Sequence, residues 1–141
     1  MNASLYDEAI KALARAGHGA GSLSAPDALV RLDNPYCGDR IDLALTLNGS
    51  RIGAVAHQTK GCLLCCASAS LIGLRAPGAD MRQVEHAIVA LDALLAGREL
   101  PAVTWNELEI FAAVRDYPAR YGCVALPMQA LRKAVEMARA R

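Results

Sequence analysis

The strongest constraint in this sequence is a strand–turn–strand pattern in its first half. Ile41, Leu43, Leu45 and Leu47 alternate with mostly polar neighbours, which is the period of a half-buried strand. Asn48-Gly49 follows, a dipeptide suited to a tight hairpin turn, and 52–57 reads as the return strand. An earlier strand signal lies at 28–32. Three short strands in succession predict a small antiparallel sheet.

The remaining segments read as helices. Ser4, with Asp7 three residues on, predicts a capped first helix; Tyr6, Ile10 and Leu13 share one face, and Gly17 ends it. The glycine-rich link 17–21 reads as flexible, leaving this helix loosely docked. Residues 62–75 are rich in small side chains (Cys65, Cys66, Ala67, Ser68, Ala69, Ser70), which let a helix lie close to a sheet before Pro77-Gly78 stops it. Asp80 and Gln83 form a capping box for a helix striped by Val84, Ile88, Leu91 and Leu95 and ended by Gly97. Thr104 with Glu107 predicts a short helix through Val114. A last helix is expected over 124–139. Pro127 lacks a backbone donor and is therefore expected in its first turn, which places Cys123 at the N-terminus. The expected fold class is α+β: a three-stranded antiparallel sheet with helices packed on one face, forming a single domain over 1–141.

Composition narrows the function. Apolar residues are 54% of the 141, enough for a core, and the formal charge of +1 argues against nucleic acid, which needs a concentrated basic surface. No run of about 18 apolar residues predicts a membrane span, and the N-terminus does not read as a signal peptide. The expected setting is cytoplasmic.

There the five cysteines, Cys37, Cys62, Cys65, Cys66 and Cys123, point to metal binding, thiol chemistry or simple burial rather than disulfides. Three of them stand at turns beside regular elements: Cys37 between Pro35 and Gly38, Cys62 after Gly61, and Cys123 after Gly122. A helix N-terminus favours a thiolate over a thiol, and thiolate is the form that binds metal or attacks sulfur. Spacing alone is weak: Cys62-Leu-Leu-Cys65 is a lone Cys-x-x-Cys, and a zinc ribbon would need a second.

The words around these cysteines say more. Asn34-Pro35-Tyr36-Cys37-Gly38-Asp39-Arg40, then Gly61-Cys62 with Ala67-Ser68-Ala69-Ser70, then Pro118-Ala119-Arg120-Tyr121-Gly122-Cys123 with Leu126 and Ala130-Leu131, resemble in order the three cysteine motifs of the NifU/IscU/SufU family of iron–sulfur cluster assembly proteins. The resemblance spans roughly 34–135. The long gap between Cys62 and Cys123 resembles the SufU-like branch. The IscU branch has a histidine just before the third cysteine and a Leu-Pro-Pro-Val-Lys chaperone site; here Gly122 and Pro118-Ala119-Arg120 occupy that region. The resemblance implies a zinc site made by Cys37, Asp39, Cys62 and Cys123. It also implies Cys37 as acceptor of persulfide sulfur from a cysteine desulfurase of the SufS/IscS kind, a transient iron–sulfur cluster, and delivery to apo iron–sulfur proteins. Neither nucleic acid nor membrane is expected as a partner. Three thiolates and a carboxylate suit tetrahedral zinc, and iron less distinctively.

Cys65 and Cys66 depart from the family pattern. They share a helix face with Cys62 at i+3 and i+4, and read either as small packed residues or as a spare ligand or sulfur relay. His57 could approach the site from a strand end, although a surface position is the simpler reading; His18 lies apart and His86 is expected in solvent. Arg120 could hold Asp39 or a persulfide by a charge-assisted bond, or lie on the surface. Trp105 and Phe111 read as core, and Arg132, Lys133, Arg139 and Arg141 as a solvated helix face. The readings that follow are a cluster scaffold, a zinc-dependent sulfurtransferase, or a zinc-stabilised interaction domain without sulfur transfer.

Overall fold

The structure is a computed structural model and describes residues 7–101 and 104–140. Helix α1 (Glu8–Ala16) precedes strands β1 (Ala28–Asp33), β2 (Arg40–Asn48) and β3 (Arg51–Lys60). Helices α2 (Leu63–Arg75) and α3 (Met81–Leu95) follow, then 3-10 segments at Asn106–Asp116 and Pro118–Arg120, and finally α4 (Tyr121–Arg139). The sheet is antiparallel in the order β1-β2-β3, so the α+β expectation holds.

The alternation in β2 does what its period requires. Ile41, Leu43 and Leu45 are fully buried in β2, which packs against α4, while Asp42 points to the other face and pairs with Arg31 at 2.6 and 3.0 Å. The hairpin closes on the pair Asn48–Arg51, so the turn sits at Gly49-Ser50, one residue beyond the expected one. A register shift between Leu45 and Leu47 bends the hairpin. The small side chains of α2 are buried, and they admit α1 and α4 as well as the sheet. Ser68 donates to the Val124 carbonyl at 2.7 Å, and Ser70 accepts from the His18 amide at 3.0 Å, so both buried hydroxyls are satisfied.

Several expectations are corrected. Asp7 itself caps α1, accepting from the Ile10 amide at 3.0 Å; Ser4 and Tyr6 lie outside the described residues. The link 17–21 is not loose. The His57 amide donates to the Gly19 carbonyl at 2.8 Å, and the Gly21 amide donates to the His57 carbonyl at 2.9 Å, which hems the link to β3; Ile10 then seals α1 with no exposure. The capping box of α3 is present, but Thr104 caps nothing. The segment it was to start is a 3-10 helix entered from Trp105, and the Thr104 hydroxyl is buried without a partner among the described residues. Helix α4 starts at Tyr121, earlier than expected, so Pro127 falls in its interior rather than its first turn. A proline there deprives the carbonyl four residues back, that of Cys123, of its helical donor. Packing of α4 against β1, β2 and α2 offsets that loss. Among the described residues no helix is long and apolar enough to cross a membrane.

Candidate metal centre

Three segments converge where β1 turns into β2. The loop between them is closed by Asn34: its carbonyl accepts from the Gly38 amide at 2.9 Å, its amide donates to the Asp39 carbonyl at 2.8 Å, and its side-chain oxygen accepts from the Tyr36 amide at 3.1 Å. An Arg40–Asp33 ion pair at 2.6 Å closes the base. This fold holds Cys37 out as an exposed thiol while turning Asp39 inward, where it is 3% exposed.

The Asp39 carboxylate faces the N-terminus of α2. One oxygen accepts from the Cys62 amide at 3.1 Å, and the other lies 3.9 Å from the Cys62 sulfur. Cys62 is the residue that begins the helix, and its own side chain makes no capping bond. From the opposite side α4 brings Cys123, fully buried in its first turn, with its sulfur 3.8 Å from that of Cys37. Donor atoms of Cys37, Asp39 and Cys123 all lie within 4.8 Å of one another. Cys62 stands beside this trio through Asp39.

The two glycines before these helical cysteines have a reason the sequence did not disclose. A Cβ on Gly61 would sit 2.7 Å from the Asp39 carboxylate oxygen, and one on Gly122 would sit 2.7 Å from the Asn34 side-chain nitrogen. Both glycines make room for side chains of the Cys37 loop. Asn34, which closes that loop and meets α4, was missed as a site residue; the Gly-Cys word repeated at both helices was the signal that could have found it.

The electrostatics suit a cation. Burial pushes the Cys123 thiol up, and the neighbouring Cys62, Asp39 and Cys37 push it further. A group of acidic donors that resist ionising together is what a divalent ion relieves. The geometry fits too: sulfurs about 2.3 Å from a tetrahedral zinc stand about 3.8 Å apart, the Cys37–Cys123 separation.

The other candidates are placed as follows. Cys65 is fully buried behind the site, its thiol pushed up by burial and then by Asp39, Cys62, Cys66 and Cys123. Cys66 is half-buried, with its sulfur 3.8 Å from the Gly61 carbonyl oxygen; burial first, then Cys62 and Asp39, raises its thiol. Arg120 ends the short 3-10 turn immediately before α4. His57 is buried with both ring nitrogens engaged, one with the His18 carbonyl at 2.8 Å and one with the Thr59 hydroxyl at 2.9 Å. It serves the link to α1 rather than the cysteine cluster, and burial lowers its pKa.

Residues 5–124 match the family described as NifU-like N terminal domain. The chain belongs to this family. Curated relatives include the zinc-dependent sulfurtransferase SufU of Bacillus subtilis, 30% identical over 108 residues (76% of this chain, 74% of the relative). The iron–sulfur cluster assembly scaffold protein IscU of Streptococcus pyogenes is 29% identical over 133 residues, covering 94% and 83%. Among solved structures, an N-terminal NifU-like protein from Brucella abortus superposes with TM-score 0.92 at 25% identity, covering 97% of this chain and 96% of that one. Within this NifU-like fold, the expected cysteine words occupy the loop and the two helix starts that meet at one point.

Proposed function

We propose that this NifU-like domain is an iron–sulfur cluster assembly protein that binds metal through Cys37, Asp39, Cys62 and Cys123 and accepts persulfide sulfur on Cys37. The observation that carries the reading is the contrast within one cluster: Asp39 and Cys123 are buried while the Cys37 thiol, in reach of both, is exposed. Zinc, when bound, keeps its thiol ligands deprotonated. Asp39 is a harder, more exchangeable ligand than a thiolate, anchored by the Cys62 amide. An iron–sulfur cluster is cargo at the same site.

In sulfur transfer, the Cys37 thiolate attacks the outer sulfur of a desulfurase persulfide; that S–S bond breaks and the desulfurase thiolate leaves. A groove of about 560 Å³ beside Cys37, lined by Pro35, Tyr36, Pro118, Ala119 and Leu126, supports docking of a cysteine desulfurase there, as does Tyr36, which is 97% exposed at its rim. Apo iron–sulfur proteins are the proposed recipients. Free thiols at all five cysteines accord with a reducing, cytoplasmic setting, and we take 1–141 to act as one domain.

The names of the relatives divide between sulfurtransferase and scaffold. Both begin from the same cluster, and what the purified chain holds separates them: tight colourless zinc for the first, a labile coloured cluster for the second. The decisive experiment mixes the chain with its desulfurase and cysteine and maps persulfide by alkylation and mass spectrometry. Label on Cys37, lost in Cys37→Ser, supports the reading. Metal binding without label on any cysteine, despite an active desulfurase, would leave a cluster scaffold or a zinc-stabilised interaction domain.

A further inference from the structure

Cys62 and Cys65 form a Cys-x-x-Cys pair across the first turn of α2. Cys62 begins the helix in an extended conformation (φ −69°, ψ 171°) and is partly exposed, whereas Cys65 has no exposure. Residues three apart on a helix have Cα atoms about 5 Å apart, inside the Cα separations of about 4.4–6.8 Å that a disulfide spans, so the backbone places the two where rotation of the side chains can join them. Cys65 also backs the junction where Asp39 meets Cys62: a Cβ on Gly61 would lie 3.1 Å from the Cys65 Cβ and 2.7 Å from the Asp39 carboxylate oxygen. An outer cysteine at a helix N-terminus with a buried partner one turn on is the arrangement of a redox dithiol. The outer thiol meets incoming sulfur, and the inner thiol lies buried behind it. Cys66, on the same face at i+4 from Cys62, has its sulfur 3.8 Å from the Gly61 carbonyl oxygen.

We propose that Cys62 and Cys65 are a built-in dithiol that reduces delivered sulfur to sulfide. The proposal rests on the persulfide-accepting reading above and supplies a step that reading lacks. A persulfide carries its outer sulfur two electrons more oxidised than the sulfide of a cluster. The Cys62 thiolate attacks the outer sulfur of a Cys37 persulfide; the S–S bond to Cys37 breaks, and the sulfur passes to Cys62. The Cys65 sulfur then attacks the Cys62 sulfur. The bond from Cys62 to the outer sulfur breaks, and that sulfur leaves as hydrogen sulfide with the Cys65 proton. Two thiols are oxidised to one disulfide, and one sulfane sulfur is reduced to sulfide. An external dithiol reductant resets the pair.

The test uses the full chain, chelator-treated and anaerobic, with its fold verified by circular dichroism. It is loaded in parallel with one equivalent of glutathione persulfide and with desulfurase plus one equivalent of cysteine, consumed by the desulfurase so that no excess thiol remains. The parent should release about one sulfide per chain without added reductant and acquire a Cys62–Cys65 disulfide in peptide mapping. Cys65→Ala and Cys65→Ser should retain persulfide, with sulfide release down by at least about tenfold, while Cys66→Ser matches the parent. The mapped disulfide in the parent needs no substitution, so a poorly folded variant does not blur the outcome. Equal sulfide release from the Cys65 variants, or a parent that yields no such disulfide with glutathione persulfide, overturns the proposal. Sulfide release with glutathione persulfide but not with the desulfurase overturns the acceptor reading alone and supports the dithiol.

Discussion

Cys37 and Cys123 face each other across 3.8 Å, yet they belong to different kinds of structure. Cys37 is carried by a six-residue turn that Asn34 closes, and it reaches solvent. Cys123 is locked in the first turn of the longest helix, with no exposure, beside the Ser68–Val124 bond that ties α4 to α2. A site made only of Cys123-like positions would be a structural metal clamp. One made only of Cys37-like positions would not hold an ion against water. The pairing suggests a division of labour in which the buried side holds and the exposed side exchanges.

The harshest way to break that comparison is on the buried side. Cys123→Ser should abolish most metal binding and lower the midpoint of thermal unfolding in metal-replete buffer, because structural metal binding adds to folding free energy. Metal analysis and unfolding with and without chelator check this; full retention of metal would move the anchor to Cys65 or Cys66. Gly61→Ala comes next. Its Cβ would press on the carboxylate that the Cys62 amide holds, so we expect a loss of about 1–3 kcal/mol and weaker metal affinity, read by denaturant titration and chelator competition.

The two sides should also part with pH. Burial raises the Cys123 and Cys65 thiols in the metal-free chain. A raised folded-state value means that folded protein keeps protons which unfolded protein loses. Metal-free stability should therefore fall as pH rises past the ordinary thiol value of 9.0, by up to about 1.4 kcal/mol per unit for each such thiol. With metal bound the Cys123 thiolate is the stable form, and stability should instead fall toward acid. Parallel slopes in both forms would argue against Cys123 as a ligand. The smallest expected effect is on the exposed side: Cys37→Ser should change metal-free stability by less than about 0.5 kcal/mol while removing persulfide acceptance, which thermal unfolding and mass spectrometry report separately.

Much of this was legible because it depends on local chemistry. The β2 alternation, the tight turn and the Asp80–Gln83 box each need only a few neighbouring residues. What misled was tertiary compensation. Pro127 reads as a first-turn residue when α4 is taken alone, but packing on the sheet carries a helix past the donor it lacks. The 17–21 link reads as slack because its tether, the His57 backbone, is remote in sequence. Thr104 and Glu107 match a capping pattern, yet the segment winds as a 3-10 helix that uses neither as a cap. For the site, the motif words pointed to Cys37, Asp39, Cys62 and Cys123, but the reason for the glycine before each helical cysteine appears only once Asp39 and Asn34 are seen in that space.

The placement of Cys123 has a consequence for the making of the protein. The hairpin and α2 emerge before α4 during synthesis and can pack early, since their contacts are short in range. Cys123 emerges only with α4, and that helix must then close over a sheet already formed. A chain cut short before α4 would expose Ile41, Leu43 and Leu45 and present only part of the donor set. Metal capture would thus report that α4 has been made and has docked on the sheet.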